Sequence, residues 1–293
     1  MQLLKISHLT RYSYEREVEF LPHRLLIRPR DGHDVRVTAS KLVITPGKHR
    51  IRWHRDVDDN SVAEVRFFEP ARELSFLSEV IIEHYDEKPL DFLIAEPAVN
   101  FPFQYDQIEA VMLLPYQRSL FPEDRKQVRA WLSQFWQPGQ KTETFVLLDK
   151  INSAIPELIK YRMREEPGVQ SPATTLKQQS GSCRDMATLF IEICREIGLA
   201  ARFISGYQHA PVSEAGEGST HAWSEIYLPG AGWKGFDSTT GKITGTKHIS
   251  VAVSYHPEAV PPVSGAFLGK LEQPPVMDVK IRVTNITGQT KQK

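Results

Sequence analysis

Apolar and polar residues alternate along the first third of the chain. In Leu4-Lys5-Ile6-Ser7-His8-Leu9-Thr10-Arg11-Tyr12-Ser13-Tyr14 the large and β-favouring side chains fall on every second position, the period of a strand with one buried face. Residues 35–44, 50–56, 62–68 and 77–83 are further short runs of this kind, separated by turn-forming pieces such as Pro29-Arg30-Asp31-Gly32, Pro46-Gly47 and Asp58-Asp59-Asn60. Strands at this spacing predict an antiparallel sandwich or barrel. Residues 90–120, with Pro97, Phe101, Pro102, Phe103, Tyr105, Pro115 and Tyr116, read as a structured connector, because a flexible tether would be rich in glycine and serine.

Farther along, the apolar period lengthens to three and four. Val128, Trp131, Leu132 and Phe135 make one helical stripe, stopped by Pro138-Gly139. A second helix over 142–162 presents Leu148, Ile151, Ile155, Leu158 and Ile159, with a kink expected at Pro156. The third carries Met186, Leu189, Phe190, Ile193 and Ile197 and is ended by Gly198. Strand patterns then return over 201–207, 221–228 and 233–237, the last two joined by the turn Pro229-Gly230-Ala231-Gly232. A polar, glycine-bearing stretch at 208–220 suits a mobile loop over a site. Residues 277–284 form a strand without a local partner, expected to join an existing sheet. The fold class is α+β: a β-rich N-terminal domain (1–105), a core of helices packed on an antiparallel sheet (106–250) and a C-terminal extension (251–293).

Composition narrows the function classes. A length of 293 residues favours two domains, and 41% hydrophobic with 25% charged residues is ordinary for a soluble globular protein. The 36 basic residues balance 36 acidic ones without a Lys/Arg-dense stripe, which argues against nucleic acid or an anionic membrane as partner. The start, Met1-Gln2-Leu3-Leu4-Lys5-Ile6-Ser7-His8, turns polar too soon for a signal peptide and no long apolar run follows, so a cytoplasmic location is expected. Cys183 and Cys194 share one predicted helix, about 16 Å apart at ~1.5 Å per residue, too far for a disulfide. No CxxC pair supports a cysteine zinc site, and no metal or cofactor is expected.

Candidate chemistry centres on Gln179-Ser180-Gly181-Ser182-Cys183-Arg184-Asp185. Ser180 and Ser182 can each cap the third helix, which puts Cys183 in its first turn, where the positive end of the helix dipole favours an anionic sulfur. Cys194 reads as a core residue. A cysteine nucleophile needs a base, and the base needs an orienting partner. His221 at the start of one strand and Asp237 at the end of its neighbour supply both types. They share a face only if Asp237 lies opposite an odd-numbered residue such as His221 or Trp223, which predicts an odd-length loop or a bulge.

Four blocks together resemble the bacterial transglutaminase-like superfamily: Gly181-Ser182-Cys183-Arg184-Asp185, Gly198-Leu199-Ala200-Ala201-Arg202-Phe203-Ile204-Ser205-Gly206-Tyr207, His221-Ala222-Trp223-Ser224-Glu225 and Gly232-Trp233-Lys234-Gly235-Phe236-Asp237-Ser238-Thr239. The stretch His8-Leu9-Thr10-Arg11-Tyr12-Ser13-Tyr14 and Leu26-Ile27-Arg28-Pro29 resemble the β-rich N-terminal region found with that domain. The resemblance implies a papain-like core with Cys183 as nucleophile, His221 as general base and acid, and Asp237 orienting His221. It implies acyl transfer from a peptide or protein amide through a thioester, with the Cys183 backbone N–H as first oxyanion donor. Gln178 or Gln179 is a candidate second donor, though each also suits loop surface. Asp185 and Arg184 read as structural. Two departures stand out: Ser238 follows Asp237 where the family often has proline, and Ser254-Tyr255-His256-Pro257-Glu258-Ala259-Val260-Pro261-Pro262 lacks the Arg-Asp pair common in bacterial members. The leading expectation is a cysteine hydrolase. A cross-linking acyltransferase, a non-enzymatic scaffold and a Cys/His/Asp metal site are the alternatives.

Overall fold

The computed structural model describes residues 1–85, 88–209 and 219–287. Most of the loop expected at 208–220 therefore lies outside the described residues. The N-terminal region contains β1 (Gln2–Phe20), β2 (His23–Leu25), β3 (Val35–Thr45), β4 (His49–Arg55), β5 (Ser61–Phe67) and β6 (Ala71–His84). The alternation in β1 buries Leu4, Ile6, His8 and Thr10 on one face. β1 pairs antiparallel with β6, which pairs with β3, while β5 lies between β2 and β4 in a second sheet. Tyr14, Phe20, Leu25, Val65, Leu74 and Phe76 from the two sheets form one core, so the region is a sandwich.

A two-stranded ribbon, β7 (Asn100–Phe101) with β8 (Thr142–Glu143), leads into the core. Between and after these strands come α1 (Gln107–Gln117), α2 (Arg125–Leu132), α3 (Thr144–Leu158), β9 (Lys160–Tyr161), α4 (Pro172–Gln178), β10 (Ser180–Gly181) and α5 (Cys183–Glu196). α1 falls inside the segment expected to be a connector. Its Asp106 carboxylate accepts from the N–H groups of Ile108 and Glu109, both at 2.8 Å, which caps the helix. Periodicity did not reveal it because Ile108, Val111, Met112 and Leu114 are exposed and only Leu113 is buried. α3 stops at Leu158, short of the expected 162, because Lys160 and Tyr161 pair with Ser180 and Gly181 as a small parallel ladder. Among the described residues no helix is long and apolar enough to cross a membrane.

The remaining strands are β11 (Ala201–Gln208), β12 (Ser219–Leu228), β13 (Gly232–Asp237), β14 (Lys242–Ile243), β15 (His248–Ser254), β16 (Val263–Ser264), β17 (Phe267–Leu268) and β18 (Val276–Asn285). The core sheet runs β14-β13-β12-β11-β15, and β15 carries it to Ser254, past the division at residue 250 drawn from sequence. β16 pairs with β2, and β17 and β18 pair with β1, so the C-terminal extension completes the N-terminal sandwich. Met186, Leu189, Phe190 and Ile193 of α5 join Ile151 and Ile155 of α3 and Phe203, Ile226 and Phe236 of the sheet in the largest core. A second core joins the two halves: Leu4, Ile6, Val80 and Ile82 with Tyr207, Ile249 and Val251. His8 sits there 2.8 Å from the Tyr207 hydroxyl, and burial lowers its pKa to about 4, so it remains neutral at physiological pH.

Candidate active site

Cys183 is the first residue of α5, half-buried, and its surroundings follow from the turn before it. Gln179 adopts a left-handed conformation (φ 49°) that ends α4, and β10 then leads to Ser182, the N-cap. Asp185, with no exposed surface, holds this turn. Its Oδ2 accepts from the backbone N–H and the hydroxyl of Ser182, both at 2.8 Å. Its Oδ1 accepts from Arg164 Nη1 at 2.8 Å and from the Gln170 N–H at 2.7 Å. Gly181 leaves the space this requires, since a Cβ there would lie 2.9 Å from that of Asp185. Gln178 and Gln179 are exposed at this turn. Cys194 is fully buried, and desolvation pushes its thiol pKa well above the ordinary range.

His221 and Asp237 are set by the β12–β13 hairpin. Leu228 pairs with Gly232, which leaves a loop of odd length, residues 229–231. The ladder ends at Ser224 opposite Phe236, so the next step puts Asp237 beside Trp223, on the face that carries His221. The His221 Nε2 donates to Asp237 Oδ2 at 3.0 Å, with His221 8% and Asp237 0% exposed. The other carboxylate oxygen accepts from the Thr239 N–H at 3.0 Å. With Nε2 committed to the carboxylate, Nδ1 is the ring atom left for Cys183, whose sulfur lies within hydrogen-bonding reach of the imidazole.

A second histidine completes the cluster and had no signal in the sequence. His248 Nε2 lies 3.1 Å from the same Asp237 Oδ2. It heads β15, which is separated from β12 by β11, so only the tertiary register delivers it. Gly206 of β11 lies opposite His221, and a Cβ on it would collide with the Trp223 indole and the Ile249 carbonyl. Its missing side chain admits Trp223, whose ring meets His248 edge-on at 5.2 Å and lies 6.2 Å from His221. At 2% exposure Trp223 packs the cluster and offers no open platform.

Burial alone would discharge His221. Its hydrogen bonds to Asp237 and Cys183, and the charges on both, outweigh that and push its pKa from 6.5 up to about 10. For Asp237 burial likewise opposes the charge, but bonds from His221 and His248 hold it well below the usual carboxylate range. An imidazolium between a sulfur and a carboxylate is thus the state this geometry stabilises at neutral pH. The three ligand atoms of His221, Asp237 and His248 also lie within 4.8 Å of one another, close enough to consider a metal ion. The proton positions argue against that use. His248 Nδ1 accepts from the Gly245 N–H at 3.3 Å, so Nε2 carries the proton, whereas a ligating Nε2 must be bare.

Comparison with known proteins places these features. Residues 4–83 match the bacterial transglutaminase-like N-terminal region, and residues 134–238 match the transglutaminase-like superfamily core. An uncharacterized protein of Mycobacterium tuberculosis, Rv2569c, is 26% identical over 97% of this chain and 93% of its own length. Another uncharacterized protein, from Mycobacterium leprae, is 31% identical over 38% of this chain and 40% of its own. Among solved structures, a Cytophaga hutchinsonii protein named provisionally as a cysteine protease superposes with a TM-score of 0.72 at 16% identity, covering 97% of this chain and 91% of that one. This last likeness shows a shared fold.

Proposed function

The chain belongs to the transglutaminase-like superfamily, and on that basis we propose that it is a cysteine enzyme acting on amide bonds, with Cys183 as nucleophile, His221 as acid and base, and Asp237 orienting His221. The observation that carries this reading is the buried His221–Asp237 pair, with its free ring edge turned to a half-buried sulfur at a helix start. The sulfur attacks the amide carbonyl, and a C–S bond forms as the carbonyl electrons move to oxygen. The Cys183 N–H at the first turn of α5 supports that oxyanion. On collapse the C–N bond breaks, and the leaving nitrogen takes the His221 proton. The neutral imidazole then removes a proton from water as water attacks the thioester, and the thiolate and imidazolium are restored. Hydrolysis is the simpler outcome, because transfer requires the thioester to survive water until an amine displaces it.

The test is iodoacetamide labelling at neutral pH, read by peptide mass. Cys183 should react rapidly, His221→Ala should slow it about a hundredfold, within the range of general acid–base contributions, and Cys194 should remain inert. Equal, slow labelling of both thiols would remove the nucleophile assignment. Trapping the acyl-enzyme and adding amine then separates the two reactions: release to amine in preference to water would make the protein a transferase.

A further inference from the structure

The cluster contains one polar group beyond the three just assigned. His248 is 11% exposed at its side chain, and its ring bonds are fully directional. The Gly245 N–H can only donate, so Nδ1 of His248 accepts and Nε2 holds the hydrogen. A carboxylate can only accept, so that Nε2–H donates to Asp237 Oδ2. Gly245 grips the residue twice, because its carbonyl also takes the His248 backbone N–H at 2.8 Å. Behind it, His84 Nε2 of β6 donates to the His248 carbonyl at 3.1 Å. His248 is therefore a fixed N–H donor aimed at the oxygen that His221 uses.

We infer that His248 is a positioning residue for the reaction: as an Nε2–H tautomer it fixes Asp237 Oδ2 so that His221 keeps its Nδ1 edge on Cys183. This rests on the cysteine-enzyme reading above. Asp237 has one other described anchor at the carboxylate besides the two histidines, the Thr239 N–H on Oδ1. Without His248, only the Thr239 N–H and His221 itself would oppose rotation about the last side-chain bond, which carries Oδ2 away from His221. The charged and titratable groups around His248 are Asp237 and His221 in front, Lys247 beside it in the chain, His209 bonded through its N–H to the Lys247 carbonyl, and His84 behind. Of these, Asp237 and His221 contact its ring.

The test uses the full chain and iodoacetamide, so it needs no identified substrate. His248→Phe keeps a ring against Trp223 but has no donor, and His248→Gln keeps an N–H near the position of Nε2. The expected result is an acid limb of the Cys183 labelling profile moved to higher pH in His248→Phe, with a loss of about tenfold at neutral pH, the scale of one hydrogen bond to a charged group. His248→Gln should restore the rate to within about threefold of wild type. An unmoved limb in His248→Phe, or equal loss in both variants with wild-type melting temperatures, overturns the inference. A side-chain nitrogen spectrum showing the proton on Nδ1 of His248 overturns it as well, as does tight zinc binding that His248→Phe abolishes. If wild-type labelling does not depend on His221, the cysteine-enzyme reading itself has failed. His221-dependent labelling with no response to His248 removes only the positioning role.

Discussion

Asp185 offers the sharpest measure of how the turn that carries Cys183 is held. It is enclosed, and each carboxylate oxygen accepts two donors: Arg164 and Gln170 on Oδ1, the Ser182 N–H and hydroxyl on Oδ2. Asparagine has the same shape but one acceptor oxygen. Whichever way its amide is turned, an NH2 group faces two donors, and the Arg164 guanidinium, 14% exposed, loses its counter-charge. Two lost hydrogen bonds to a charged group amount to about 3–6 kcal/mol. Breaking one side of a buried ion pair costs about 3–5 kcal/mol, the same range by a separate route. With a urea slope of about 2–3 kcal/mol per molar, Asp185→Asn should lower the midpoint by about 1–3 M. Tryptophan fluorescence during urea unfolding is the assay, and iodoacetamide labelling of Cys183 in native buffer should slow in parallel. A midpoint within about 0.3 M of wild type would refute the view that this carboxylate holds the turn.

Two further outcomes follow from the sheet side of the cluster. Gly206→Ala must displace Trp223 or β15, and overpacking of this kind costs about 1–3 kcal/mol; thermal melting should show the loss, and unchanged Cys183 labelling would mean that Trp223 does not help to seat the histidines. The stabilisation His221 gains from its raised pKa is complete below its ordinary value of 6.5 and lost as pH rises through about 10. That of Asp237, whose pKa is lowered, is complete above its ordinary value of 3.8 and lost as pH falls below the usual carboxylate range. The stability difference between wild type and Asp237→Asn should therefore be flat between about pH 4 and 6.5 and narrow on both sides, and a difference that grows toward pH 10 would contradict the assigned charges.

The parts of this site that were legible in the sequence are those fixed locally. Cys183 follows a capping serine at the head of an amphipathic helix, and His221 and Asp237 flank one turn, so their shared face depends only on loop parity. His248 lies two strands from His221 in sheet order, and nothing near it in sequence distinguishes it from the other histidines. The same limit hid α4, a helix of 7 residues too short to show a period, and α1, whose apolar residues face outward. That Asp185 is structural was readable from its place in the first turn of the helix. Its ties to Arg164 and Gln170, in the segment that precedes α4, were not.

The N-terminal sandwich bears on the site through β15. That strand is an edge of the core sheet, and an open edge leaves backbone groups without partners. The sandwich supplies them: the Arg30 N–H donates to the Ser250 carbonyl at 2.9 Å, and Asn60 spans Val253, donating to its carbonyl and accepting from its N–H, both at 2.8 Å. His84 takes the His248 carbonyl in the same way. On the reverse face, Tyr207 and Ile249, paired with each other, bury their side chains against Leu4, Ile6, Val80 and Ile82. Their chain neighbours Gly206 and His248 point to the opposite face, where His221 and Trp223 lie. A slip of β15 by one residue would thus expose Ile249 and turn His248 away from Asp237 together. The packing that joins the two halves of the molecule is what fixes the register of the second histidine.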